Sequence, residues 1–226
     1  MTVPMLRSLA SRYAGNIDAE TKIMWGCLQI SFFFLERGGE VWGSAHALEL
    51  SNVTLWEAES KVWTGDYSNK PKAITIKWPT DKTQSGAEIT MFASGDKELC
   101  PVRAMMMILE GRAALRLRAK PLTKFVSSGA SKSSAVKAIR WSAMKNGITE
   151  NLDRYVLHSL RVGGTTQLAA AGCQEMIIRM HGRWRSTTIR GYARRLRGTF
   201  VGVAGNMVRE NQEEADAWGR GGRSPI

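Results

Sequence analysis

The sequence predicts an α+β fold, mainly α, in which a helical core carries one small antiparallel sheet. Three observations predict it: apolar residues recur at helical spacing over residues 4–43, the texture changes to alternation over 47–91, and helical spacing returns from Pro101 onward. With 226 residues and 43% hydrophobic content the chain has enough apolar side chain to pack a core, which excludes disorder as the dominant state.

Taken in order, Asp18 is suited to cap a helix that runs through Ile23, Trp25, Leu28 and Phe32. Val53 and Leu55 begin the alternating region. Ala73-Ile74-Thr75-Ile76-Lys77-Trp78, a polar turn at 79–86, and Glu88-Ile89-Thr90-Met91-Phe92 then read as a hairpin. Pro101 suits a helix start, where its missing N–H costs nothing, and residues 104–117 are rich in Ala, Leu and Met with Gly111 the one breaker. Residues 131–146, 159–172 and 174–180 read as further helices, with a loop at 147–157. The sequence shows no internal repeat. Residues 1–205 are expected to form one domain, and 206–226 a C-terminal helix with a frayed, Gly- and Arg-rich tail.

Charge narrows the function. Against 20 acidic residues stand 32 Lys plus Arg, a formal net charge of +12, which suits a polyanionic partner and makes nucleic acid the first suspect. The excess is concentrated: residues 111–149 hold nine Lys or Arg and residues 177–197 hold seven Arg, with no acid in either. Such blocks are commonly just solvated faces, but neutralising phosphates requires this kind of uncompensated charge. Lys132, Lys137, Arg140, Arg183, Arg185 and Arg190 are the DNA-contact candidates these blocks supply. Cys27, Cys100 and Cys173 form no CxxC and no Cys/His cluster, so no disulfide framework, zinc finger or structural metal is expected. No apolar run reaches the length of a bilayer span and the start is not a signal sequence, so the expectation is a soluble, intracellular chain without membrane contact.

Several residue groups are suited to chemistry on phosphate. His158 and Arg161 lie three apart and share a face if a helix starts there, although such a pair alone is common and uninformative. Downstream come Gly182-Arg183-Trp184-Arg185 and then Gly191-Tyr192-Ala193-Arg194, inside the Arg-rich segment. Upstream, the apolar helix through Phe32 and Phe34 ends in Glu36-Arg37-Gly38-Gly39-Glu40, where Arg37 has Glu36 or Glu40 as available ion partners. Lys82 sits in the turn of the hairpin, a place where lysines usually only solvate.

The ordered set Arg37, Lys82, His158-x-x-Arg161, Trp184, Tyr192 resembles the catalytic domain of the tyrosine recombinases, the phage-integrase family. The resemblance covers nearly the whole chain: the apolar helix into Arg-x-x-Glu, the hairpin lysine, the Leu99-Cys100-Pro101-Val102-Arg103-Ala104 helix start, His158-Ser159-Leu160-Arg161 before Gly163-Gly164, and Gly182-Arg183-Trp184 ahead of the tyrosine. The wording around Arg37, Lys82 and Trp184 is most similar to integrase-like proteins of eukaryotic mobile elements. The resemblance implies a DNA recombinase or integrase with no cofactor, acting through a 3′-phosphotyrosyl intermediate without metal or ATP. Phosphodiesters resist spontaneous cleavage, so such an enzyme supplies positive charge, a nucleophile and a proton donor. Arg37 and Arg161 would hold the non-bridging oxygens, Tyr192 would attack phosphorus, His158 would take or share the phenol proton or hydrogen-bond a phosphate oxygen, and Lys82 would protonate the departing 5′ oxygen. Trp184 would support the scissile phosphate.

In many relatives the residue at the Trp184 place stands nine before the tyrosine, a spacing that here picks out Arg183, while Trp184 stands eight before. Residue type favours Trp184, with Arg183 as its alternative and Lys77 as the alternative to Lys82. Relatives usually carry an N-terminal core-binding domain, expected to be absent here because fewer than forty residues precede Arg37. The implied partners are double-stranded DNA and further copies of the chain in a tetrameric synapse, in the nucleus of a eukaryote or otherwise the cytoplasm or nucleoid. The rival readings are a type IB topoisomerase, which uses the same residue types, and a non-catalytic DNA-binding relic of a mobile element. A metal-dependent nuclease would need clustered carboxylates, which the acid-poor segments around His158 and Tyr192 lack.

Overall fold

Thr2 and Pro4 start the first helix, α1 (Val3–Arg12): the threonine Oγ1 accepts the Met5 N–H at 3.4 Å, and proline occupies the first turn. The computed structural model describes residues 1–15, 17–42, 47–58, 61–78, 87–117, 122–123 and 131–184. Helix α2 (Ala19–Phe33) is capped by Asp18, whose Oδ1 accepts the Thr21 N–H at 2.9 Å. Every residue of α2 from Ile23 to Phe32 is buried, so this helix has no solvent face and forms the axis of the core. Its polar core side chains are satisfied: Gln29 Oε1 accepts the Cys100 N–H at 3.1 Å, and Ser31 Oγ donates to the Cys27 carbonyl at 2.8 Å. A single turn, α3 (Gly38–Val41), follows.

The sheet has four antiparallel strands, β1 (Val53–Ala58), β2 (Lys61–Val62), β3 (Ala73–Lys77) and β4 (Glu88–Phe92), in the order β2-β1-β3-β4. Leu55 pairs with Ile74 and Ile74 with Met91, and Lys77 pairs with Glu88 on the last rung before residues 79–86. The predicted hairpin is therefore β3–β4. The two-residue β2 at the sheet's edge was not expected, because so short a strand has no alternation to read.

Helix α4 (Pro101–Ala114) lies along α2, and glycines allow the close approach: a Cβ on Gly26 would come within 2.6 Å of the Ala104 carbonyl oxygen, and one on Gly111 within 2.5 Å of that of Ala19. Helix α5 (Lys132–Lys145), capped by Ser131, packs on α1, while α6 (His158–Ala170) crosses the end of α2 and leads to α7 (Glu175–His181). The mainly α architecture with one small antiparallel sheet is thus as predicted. No helix among the described residues is long and apolar enough to cross a membrane.

Candidate active site at the end of helix α2

Helix α2 ends with carbonyl groups that have no partner in the helix itself. Leu35 then turns the chain through the left-handed region, at φ 51°. Three side chains from the other end of the sequence take the exposed carbonyls. His181 Nε2 lies 2.7 Å from the Phe33 oxygen, Arg183 donates to that of Phe34 at 3.0 Å, and Arg161 donates to that of Leu35. Because a carbonyl only accepts, His181 carries its proton on Nε2. Two of the three are arginines, and a cation here complements the negative pole of α2.

Below this end lies a buried ionic cluster. Glu36 is fully buried, and its Oε2 accepts the Trp78 indole N–H at 3.0 Å and an Arg183 N–H at 3.2 Å. Arg183 also donates to Glu40 at 2.6 Å, and its guanidinium lies 3.7 Å from the centre of the Trp78 ring. Glu40 in turn receives the Arg37 backbone N–H at 2.7 Å, and the Arg37 side chain reaches its other oxygen at 3.4 Å. Burial pushes the Glu36 carboxyl well above the usual carboxylate range, while hydrogen bonding and Arg183 bring Glu40 below it despite its own burial. Arg37 itself remains exposed, with 45% of its side chain accessible.

Helix α6 delivers the His-x-x-Arg pair. Gly164 lets α6 press on the end of α2, since a Cβ there would come within 2.3 Å of the Phe32 oxygen, and a Cβ on Gly38, just after Arg37, would lie 3.5 Å from Leu157, just before His158. His158 is exposed at the first position of α6, and partial burial together with the Arg161 charge lowers its pKa from the ordinary value. Arg161, one turn on, is buried. Besides the Leu35 carbonyl it holds that of Gly182 at 2.5 Å, and burial followed by repulsion from Arg183 lowers its pKa to about 10, so it stays charged at neutral pH. The Trp184 ring covers the Arg161 guanidinium at 4.4 Å. Trp184 also borders a cleft of about 810 Å³ between α7 and the start of β4.

The structure therefore gathers Arg37, His158, Arg161 and Trp184 around the end of α2. Lys82, Tyr192, Arg185 and Arg190 lie outside the described residues, as do residues 206–226. Lys77 is exposed at the last rung of β3, and Lys132 and Lys137 are exposed on α5. One expectation needs correction. Arg183 does not face solvent for a phosphate: it is 4% exposed and committed to Glu36, Glu40 and the Phe34 carbonyl, because two buried acids demand a cation. Arg140 is half-buried and donates to the carbonyls of Tyr155 and Asp153, at 3.3 Å each, fastening α5 to the loop before α6. The sequence reading did not connect Glu36 with Trp78 and Arg183. The available signal was an acid at the end of an apolar helix, adjacent to the arginine it had been offered as a partner.

No family model matches the chain, and no curated protein matches it in sequence. Among solved structures the described architecture has neighbours of similar fold. In particular it is similar to XerH, a site-specific recombinase solved on DNA. The post-cleavage complex of XerH with a palindromic difH substrate matches with a TM-score of 0.58 and 13% identity over 89% of this chain and 52% of that one. Its pre-cleavage complex with difH matches with a TM-score of 0.57 and 15% identity over 84% of this chain and 47% of that one. The chain thus spans about half the length of these structures, and at such identities the likeness is one of fold. Among the described residues no group of His, Cys, Asp and Glu is arranged to hold a metal ion.

Proposed function

We propose that this chain breaks and rejoins double-stranded DNA as a site-specific recombinase, through a 3′-phosphotyrosyl intermediate on Tyr192. The observation that carries the reading is the convergence of Arg37, His158 and Arg161 at the end of α2, within a fold shared with XerH. Residues far apart in sequence meet there as two guanidinium groups and an imidazole, the donor set that an unreactive phosphodiester requires. Arg37 and Arg161 bind the non-bridging oxygens and stabilise the charge of the pentavalent transition state. The lowered pKa of His158 keeps its ring largely neutral at pH 7, able to accept the Tyr192 proton. Lys82 protonates the 5′ oxygen as it leaves. Trp184, stacked on Arg161, holds that guanidinium in plane beside the phosphate. Lys132, Lys137, Arg185 and Arg190 supply contacts to the flanking phosphates, and copies of the chain associate on the DNA.

The test is incubation with nicked suicide duplexes in EDTA, followed by denaturing gels. The expected result is a covalent protein–DNA adduct that withstands denaturant and is absent from Tyr192→Phe. An adduct that persists in Tyr192→Phe, or strand cleavage only after magnesium is added, overturns the reading. Adduct formation should also slow as the pH is lowered below the ordinary histidine value, because a protonated His158 no longer accepts the phenol proton; a rate that stays flat down to the carboxylate range would remove His158 from this role.

A further inference from the structure

We infer that Glu36 is a positioning residue of this centre: a neutral carboxylic acid that fastens together the three chain segments carrying Arg37, Trp78 and Trp184. The inference rests on the function proposed above, and its structural half can be tested apart from it.

The geometry is that of a junction. Glu36 immediately precedes Arg37, Trp78 ends the strand that leads into residues 79–86, and Arg183 immediately precedes Trp184. Through its Oε2, Glu36 accepts the Trp78 indole N–H and an Arg183 N–H, at 3.0 and 3.2 Å. Arg183 also bonds to Glu40, the residue that holds both the backbone and the side chain of Arg37. One buried guanidinium thus faces two buried carboxyl groups, and a proton on one of them removes the excess negative charge. The geometry favours Glu36 as its bearer: Arg37 is bonded to Glu40, Arg161 is engaged by the Leu35 and Gly182 carbonyls, and Arg183 approaches Glu40 more closely than Glu36. Glu36 Oε1, fully buried, receives no N–H or O–H among the described residues, which suits an oxygen that bears a proton and is costly for one that bears charge. Burial acts on this group in the same direction.

A neutral acid in this position sets distances without adding a negative charge beside the phosphate. An ionised Glu36 would draw Arg37 and Arg161 away from their substrate. As a neutral group it anchors Trp78 and Arg183, Arg183 holds Glu40, and Glu40 fixes Arg37.

The test compares Glu36→Gln with Glu36→Leu in the full chain. Glutamine reproduces the bonds of the neutral acid, its oxygen accepting from Trp78 and Arg183. Leucine keeps volume and removes them all. The expected single-turnover adduct rate of Glu36→Gln is within about threefold of the parent, while Glu36→Leu is slower on the order of 100-fold, the scale of a small misplacement in an active site. Duplex affinity at matched salt should be unchanged in both. Trp78→Phe, which removes the N–H to Glu36 while keeping an aromatic ring beside Arg183, guards against misfolding of Glu36→Leu and should slow the rate without altering affinity. If Glu36→Gln is as slow as Glu36→Leu, the acid has to be charged and the inference fails; if both Glu36→Leu and Trp78→Phe react at the parental rate, the junction positions nothing and it fails again. An infrared spectrum at neutral pH provides the readout that needs no activity: a protonated-carboxyl band present in the parent and missing from Glu36→Gln supports the assignment, and its absence from the parent overturns it. A parent that forms no adduct but shows the band refutes the recombinase reading and leaves the neutral acid standing.

Discussion

Two arginines in this chain each hold a pair of carboxyl groups, one at the surface and one in the interior. Arg7 bonds to Asp96 and Glu98 with side chains 44%, 29% and 46% exposed, whereas Arg183 bonds to Glu36 and Glu40 with side chains 3%, 0% and 16% exposed. At the surface the Arg7 bond and the backbone N–H groups of Leu99 and Glu98 hold Asp96 well below the usual carboxylate range. Inside, the same ratio of one guanidinium to two acids drives the acids apart, Glu36 upward and Glu40 downward. Water is the difference. A solvated arginine can be shared by two anions, but in the interior the second negative charge costs more than one cation returns.

The sharpest way to break the comparison is to remove each arginine. Arg183→Met strands two acids in the interior, and the expected loss is about 3–5 kcal/mol in urea unfolding, the range found when one partner of a buried pair is deleted. The adduct should be lost with it. A loss no larger than that of the surface variant would show that the two clusters are equivalent after all.

Next in size is the pH dependence of Glu36→Gln. With its folded pKa raised, wild-type Glu36 contributes stability that is full below the ordinary carboxylate range and is lost as pH rises toward the folded value. Glutamine has no such slope, so the stability of Glu36→Gln relative to the parent should climb from about pH 4.5 upward, by paired denaturant melts at several pH values. Parallel profiles would mean that Glu36 is ionised in the fold.

The smallest effect is expected for Arg7→Ala, a fall in Tm of about 2 °C or less that shrinks in high salt. Here the sign reverses. Asp96 is depressed, so its contribution is present above the ordinary aspartate value and fades as pH falls, and parent and variant should converge in strong acid. A gap that widens in acid would contradict the pairing seen at the surface.

Local features of the sequence were legible because their causes are local. Asp18 caps the helix it was expected to cap, Pro101 begins α4, and the alternation from Ala73 to Phe92 became β3 and β4 in register. The grouping of Arg37 with His158 and Arg161 was legible only through resemblance, since nothing local brings residue 37 to residue 158. Arg183 was misread because a cation in a basic run looks solvated until its acids are located, and these lie 143 and 147 positions away.

The carbonyls at the end of α2 carry a consequence for the order in which the molecule assembles. Their partners, Arg161, His181 and Arg183, are 126, 148 and 149 positions away along the chain. Long closures are slow, and they form after nearby contacts have been made. The end of α2 and Glu36 therefore remain hydrated until the last third of the chain has folded over them, and the arriving arginine removes that water. Arg161 and Glu40 take their final partners only at that moment, so under the function proposed above a nascent or half-folded molecule lacks a finished site.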